Sequence, residues 1–239
     1  LSCIIIDLAN KLYWFPKNAV IDYRVKRITK TQLNRGDRIP KIIHYIWVGG
    51  AKKPESVEKY IESWKKYCPD YRIIEWNEKN YNIKSNRYAR EAYREKKWAF
   101  VTDFIRLDVL DRFGGIYMDS DVEVLQSLDG FLNEPAFSSF EAGDPSQIFL
   151  PTGMMASEKG GKWVRYLKSY YSSSRSFFRK DGQIDDTPNT VTITDMTVDK
   201  YGICLNNKLQ KFDDFTMYPS EYICPKSWAT RKIKLTKKT

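Results

Sequence analysis

Two carboxylates one residue apart, Asp119 and Asp121, follow the short apolar run Ile116-Tyr117-Met118, itself preceded by Gly114-Gly115. A pair of hard oxygen ligands at the end of a strand suits Mg²⁺ or Mn²⁺ rather than zinc or copper. Such ions usually take one or two protein carboxylates and fill their remaining positions with water and substrate phosphates. The pair therefore predicts a divalent metal that holds a diphosphate. Alone the signal is weak, because Asp-x-Asp also occurs by chance in surface turns. Upstream, Asp103 and Arg106 are spaced to share one face of a helix. They fit either an anionic ligand or a local salt bridge of little worth. His44, the single histidine, falls inside an apolar run, where a structural role is the ordinary one. No nucleophile stands out; Glu141, Asp185 and Asp186 are the other carboxylates to follow.

These residues need elements to position them. Residues 41–48 are nearly continuously apolar and close on Gly49-Gly50, as a buried strand of a parallel sheet would. Pro54 suits the first position of a helix. Val57, Ile61, Trp64 and Cys68 then recur at helical spacing until Pro69 ends the pattern. Residues 71–76 read as a second strand, so strand, helix and strand begin a Rossmann-like α/β layer. Residues 88–97 and 99–113 predict two helices. The second is apolar around much of its circumference, which implies burial. Gly114 is placed to end it in the left-handed region. Residues 116–118 form the strand that carries the two carboxylates, and 122–125 continue extended. Residues 136–140, 148–156 and 215–218 read as further strands, and 161–171 as an aromatic-rich helix. Residues 172–176 and 181–189 read as loops. With no internal repeat and no low-complexity linker, residues 39–239 are one domain, preceded by an appendage, 1–38, with a short helix over 4–12.

The composition is globular: 42% hydrophobic and 15% aromatic over 239 residues. Forty Lys and Arg against 30 Asp and Glu give a formal charge of +10. The basic residues are dispersed, with mild clusters at 24–30 and 231–238, and no nucleic-acid-binding signature accompanies them. The charge therefore predicts affinity for phosphorylated small molecules or an anionic membrane surface, and no nucleic-acid partner. The cysteines Cys3, Cys68, Cys204 and Cys224 make no CxxC pair, which excludes zinc and thioredoxin-type readings and fits reduced thiols in the cytoplasm. No apolar run is long enough to span a bilayer. A start at Leu1 rather than Met leads us to expect a fragment or a processed form.

Three ordered segments now combine: Ile39-Pro40-Lys41-Ile42-Ile43-His44-Tyr45-Ile46-Trp47-Val48-Gly49-Gly50, Trp98-Ala99-Phe100-Val101-Thr102-Asp103-Phe104-Ile105-Arg106-Leu107, and Gly114 to Asp121. Together they resemble the DXD-containing glycosyltransferases, a family that takes in capsular-polysaccharide transferases and the yeast initiating α-mannosyltransferase. The glucosylating clostridial toxins are more distantly similar. The resemblance covers about residues 39–225, including Tyr218-Pro219-Ser220-Glu221-Tyr222.

It implies a GT-A-type, Rossmann-like nucleotide-sugar-binding domain of α/β class with a mixed, mostly parallel central sheet. It also implies a Mn²⁺ or Mg²⁺ ion, a nucleotide-sugar donor (a UDP-sugar before a GDP-sugar), and retention of anomeric configuration, for which no protein nucleophile is required. The acceptor would be a glycan or lipid-linked saccharide, in surface or capsular polysaccharide synthesis at the inner membrane face. By the same resemblance Asp121 binds the metal directly. Asp119 contacts the donor's ribose or sugar and reaches the metal through water. Trp47 stacks on the base, and backbone groups at Val48 and Gly49 reach base and ribose. Asp103 and Arg106 bind the sugar and the diphosphate region, and Tyr117 packs near the sugar. A toxin-like protein glycosyltransferase and a non-catalytic nucleotide-sugar binder are the other readings. The family pattern continues into a strand with a histidine and then a Ser-Trp pair. Here the sequence reaches Thr239 without them, and Ser227-Trp228 comes too early. If the protein itself is truncated there, the expected consequence is weaker metal and donor binding.

Overall fold

Strand β1, Ile42–Ile46, is buried along its whole length. The computed structural model describes residues 36–143, 148–227 and 229–239. The expected appendage therefore lies almost wholly outside the described residues. Arg38 and Ile39 already belong to the domain, since both backbone amides donate to the Leu132 carbonyl.

The elements after β1 are α1 (Glu55–Tyr67), β2 (Arg72–Trp76), α2 (Arg87–Arg94), α3 (Trp98–Phe113), β3 (Gly115–Met118), β4 (Ala136–Ser139), β5 (Met154–Ser157), α4 (Lys162–Ser169), α5 (Asn189–Tyr201), β6 (Gln210–Lys211), β7 (Thr216–Tyr218) and α6 (Ser220–Ile223). Among the described residues the strands form one sheet in the order β2-β1-β3-β5-β4-β7-β6. β1 is parallel to β2 and β3, and β4 is parallel to β7. β5 is antiparallel to both its neighbours, as β6 is to β7. The sheet is thus evenly mixed.

Side chains alternate across a strand, and the alternation divides the core in two. Ile42 and Ile46, Tyr117 and Met155 face one cluster with α2, α3, α4 and α5. Ile43 and Tyr45, Ile116 and Met118, Met154 and Ala156 face the other, with α1. Both faces are covered, which is why β1 reads as a continuous apolar run. α3 buries Val101, Phe104, Ile105, Leu107, Val109, Leu110 and Phe113, and carries Asp103 and Arg106 inside with them. It stops at Gly114, whose φ is positive (68°) but whose ψ is extended (−177°). A Cβ there would also lie 2.7 Å from the Lys159 backbone nitrogen.

Three expectations change. The strand expected over 148–156 contracts to Met154–Ser157, because Pro151 and Gly153 break it. Residues 122–125 join no strand; the Trp64 indole donates to the Val122 carbonyl (2.8 Å), and the Ser63 hydroxyl accepts from the Val124 amide (3.0 Å). Helix α5 was not foreseen. Its run Asn-Thr-Val-Thr-Ile-Thr is rich in β-branched residues, which disfavour helix. Burial of Ile193, Thr194 and Thr197 overrides that preference. The threonine hydroxyls satisfy themselves on carbonyls four residues back, at Thr190 and Ile193.

His44 is structural. The Trp76 indole can only donate, so its 3.0 Å contact makes His44 Nδ1 an acceptor. The proton therefore sits on Nε2, which donates to the Gly114 carbonyl at 2.8 Å. Burial pushes the imidazole down to about 4 from an ordinary 6.5. The unfolded chain takes up this proton first, so His44's contribution is intact above about pH 6.5 and is lost as pH falls towards 4. The expected loss between pH 7 and pH 5 is about 2 kcal/mol. Asp103 works in the opposite direction, as described below. Urea titrations of wild type and His44→Asn at the two pH values isolate the histidine: the gap between the two proteins should narrow by that amount at the lower pH.

Candidate active site

β1 and β3 are parallel neighbours, with His44 in register with Tyr117. Their carboxyl ends therefore lie side by side, and this is where an open α/β sheet binds ligands. One end delivers Trp47, Val48 and Gly49, the other Asp119, Ser120 and Asp121.

Behind Asp119 lies a buried polar network. Arg106 is 4% exposed and Asp103 6%. The Arg106 guanidinium donates to the Thr152 carbonyl (2.6 Å), the Thr102 carbonyl (3.3 Å) and hydroxyl (2.9 Å), and Asp103 Oδ1 (3.2 Å). It also stands 3.5 Å from Asp119 Oδ1 and 4.7 Å over the Tyr117 ring. The Tyr117 hydroxyl donates to the same Asp119 oxygen at 2.6 Å. The Asp119 amide donates to the Gly153 carbonyl at 2.7 Å. Asn189, the first residue of α5, donates to Asp103 at 3.0 Å and accepts from the Tyr171 hydroxyl at 3.1 Å. Burial pushes the Asp103 carboxyl up to about 6, against the pull of Arg106 and Asn189. Burial also works against the charge on Arg106, and Asp119 foremost among its neighbours outweighs it, so the guanidinium stays charged.

Asp103, Arg106 and Tyr117 share one buried cluster, in which the Arg106 guanidinium, the Tyr117 hydroxyl and Asp103 Oδ1 are engaged with protein groups. Arg106 and Tyr117 hold Asp119, and Asp103 in turn holds Arg106. The alternation that puts Ile116 and Met118 on one face of the sheet sends Tyr117 into the core on the other. Asp119 is left partly exposed, its side chain at 37%, with Oδ1 fixed from behind.

Asp121 is exposed, and among the described residues no hydrogen bond or ion pair engages its carboxylate. It lines a cleft of about 310 Å³ with Tyr60, Leu128, Phe131, Met154 and Tyr222. Cys224 shares this cleft. Burial pushes its thiol up to about 11, and the nearby charges of Glu141 and Asp121 reinforce the rise. Glu141 thus lies on the Asp121 side of the domain, its own carboxyl pushed up by burial. Asp185 and Asp186 sit elsewhere, paired with Arg175 (2.5 Å) and Arg179 (2.7 Å) of their own loop.

No group of three or more metal-ligating side chains exists among the described residues. Two carboxylates, one of them free, nonetheless fit a hard cation that draws its other oxygens from a diphosphate and water. Asp121 and Asp119 would hold it.

On the β1 side, Gly49 has φ +94°, and a Cβ there would meet the Trp98 ring at 2.7 Å. Only glycine suits both conditions. Its amide donates to Glu78 Oε1 at 2.6 Å, which also accepts from the Tyr93 hydroxyl at 2.9 Å. A carboxylate thus occupies the backbone donor expected to reach base and ribose. Trp47 is partly buried and its indole donates to the Ala51 carbonyl at 2.7 Å. Sequence reasoning missed Glu78, Thr152 and Asn189. Nothing local marks them, since each matters through a partner distant in the chain.

The family described as the glycosyltransferase sugar-binding region containing the DXD motif matches residues 54–138. That window includes Asp103, Arg106, Asp119 and Asp121 and begins after Trp47. Inositol phosphoceramide mannosyltransferase 3 of Schizosaccharomyces pombe is 31% identical over 116 residues, covering 44% of this chain and 30% of that protein. The uncharacterized glycosyltransferase L373 of Acanthamoeba polyphaga mimivirus is 27% identical over 195 residues, covering 78% of this chain and 73% of its own. Among solved structures, PaToxG glycosyltransferase superposes with a TM-score of 0.50 at 17% identity, over 79% of this chain and 81% of that one, a likeness of fold. The chain thus spans less than a third of the mannosyltransferase and about three-quarters of the viral protein.

Proposed function

We propose that this chain, whose residues 54–138 match the glycosyltransferase sugar-binding region containing the DXD motif, transfers a sugar, with retention, from a UDP-sugar in a metal-dependent reaction. The acceptor is a glycan or a lipid-linked saccharide, in surface or capsular polysaccharide synthesis, and the enzyme works peripherally at an anionic membrane face. The observation that carries this reading is the pairing of two strand ends: the exposed Asp121 and the braced Asp119 on β3, beside Trp47-Val48-Gly49 on its parallel neighbour β1.

A bound Mn²⁺ or Mg²⁺ would stabilise negative charge on the departing nucleoside diphosphate. Asp121 would hold it through its free carboxylate. Asp119, held by Tyr117 and Arg106, keeps one oxygen aimed at the donor's ribose or at water. Trp47 offers an aromatic face to the base. Glu78 holds Gly49 in place, or yields its amide to the base when donor enters. The preorganisation lies in the buried network, because Asp119 needs no reorientation when the donor arrives. No helix of the described residues is long and apolar enough to cross a membrane.

A thermal-shift screen of UDP- and GDP-sugars, with and without Mn²⁺, tests the reading. A ligand that binds only the folded state raises the melting temperature by mass action, by the equivalent of about 2.7 kcal/mol at a hundred times its dissociation constant. The expected result is a metal-dependent rise with UDP-sugars that is absent in Asp121→Ala. A rise with GDP-sugars alone would change the donor. Binding without hydrolysis or transfer would make the protein a non-catalytic binder, and no rise with any donor would reject the site.

A further inference from the structure

The most exposed large aliphatic side chains among the described residues, Ile233 (58%) and Leu235 (60%), sit two residues apart in a strongly basic segment. Residues 225–239 carry six cations, Lys226, Arg231, Lys232, Lys234, Lys237 and Lys238, and no Asp or Glu. Among the described residues only Lys238 of the six is in an ion pair, with Glu221 at 2.7 Å.

The segment is a formed strap. The Ser227 amide donates to the Lys232 carbonyl and the Lys234 amide to the Pro225 carbonyl, while Lys226 bridges Ile233. The Gln126 side chain donates to the Lys238 carbonyl at 3.1 Å, and the Thr239 hydroxyl to the Glu221 carbonyl at 2.7 Å. These bonds fasten the strap beside the cleft that holds Asp121. Ile233 and Leu235 line that cleft together with Leu125, itself 37% exposed.

We propose that this strap docks the domain on an anionic lipid bilayer, with Ile233 and Leu235 entering the interface and the basic side chains lying among the headgroups. It rests on the membrane-surface reading above and gives it a location. Adjacent aliphatic and basic side chains are the combination that binds such surfaces, apolar burial adding to attraction by anionic lipid. The strap is already ordered, so docking costs little conformational entropy. It would bring Asp121 to the bilayer, where a lipid-linked acceptor presents its saccharide.

The test is co-sedimentation of the full chain, without donor or metal, with phosphatidylcholine vesicles and with vesicles containing one-third phosphatidylserine. Ile233→Ser/Leu235→Ser and Lys232→Glu/Lys234→Glu/Lys237→Glu are run beside wild type, with melting curves to establish folding. Wild type should bind the anionic vesicles only, and each folded variant should bind about tenfold more weakly or worse. If one variant fails to fold, the other decides. Absence of wild-type binding to anionic vesicles, or unchanged binding in the folded variants, overturns the proposal. So does equal binding to a random oligonucleotide that survives the aliphatic substitutions. Because the assay needs neither donor nor metal, its failure is separate from failure of the transferase reading, which transfer to a soluble saccharide measures independently.

Discussion

Asp121→Ala should reduce sugar transfer by about three orders of magnitude, the scale of losing a Lewis acid's charge stabilisation, while leaving the melting temperature unchanged. The two halves belong together. Asp121 is exposed, and among the described residues its carboxylate has no protein partner, so truncation removes nothing that the fold uses. Surface substitutions of that kind usually stay within about 0.5 kcal/mol of wild type. Steady-state rates with Mn²⁺ and the best donor, beside a melting curve, check both. Transfer within about tenfold of wild type would remove Asp121 from the metal site. A large drop in melting temperature would make it a structural residue instead.

Arg106→Met should have the opposite profile, destabilising the domain by about 3–5 kcal/mol, the cost of removing one partner from a buried ion pair. The substitution strips donors from Asp103, the Thr152 carbonyl and the Thr102 carbonyl, and withdraws a positive charge from beside Asp119. Arg106→Lys should recover little, because an ammonium cannot reproduce a fork that reaches four acceptors in different directions. The penalty should also depend on pH. Asp103 is already pushed up to about 6 with its partner present, and without Arg106 it rises further. The variant can then relieve its buried charge by binding a proton, so its deficit relative to wild type grows as pH rises from 6 to 8. Urea titrations at both values, with Arg106→Met/Asp103→Leu as the comparison, check this. The double variant should regain part of the loss and lose the pH dependence. A single variant within about 1 kcal/mol of wild type would mean that water reaches the network.

These two variants separate what the motif alone treats as one set. Asp103, Arg106, Asp119 and Asp121 all lie inside the matched sugar-binding region. In the structure the two at the strand end are exposed or partly exposed, while Asp103 and Arg106 are buried behind Asp119.

By itself the sequence determined the elements with a strong local signature. The apolar run closing on Gly49-Gly50, the helical spacing of Val57, Ile61 and Trp64, and the apolar helix ending at Gly114 each carry their cause within about one element's length. They fixed β1, α1, α3 and β3, and so the positions of the carboxylates at a strand end. Only the tertiary structure decided which strands are neighbours, that a threonine-rich segment is a helix, and that Asn189 and Thr152 meet Asp103 and Arg106. It also decided that Glu78 sits on the Gly49 amide and that Tyr117 faces inward. The physical reason is common to them all. A hydrogen-bonding group has no local preference for a partner far away in the chain, as Glu78 is from Gly49, Thr152 from Arg106 and Asn189 from Asp103. Its choice is made when the sheet and its helices close over it and water is no longer an alternative.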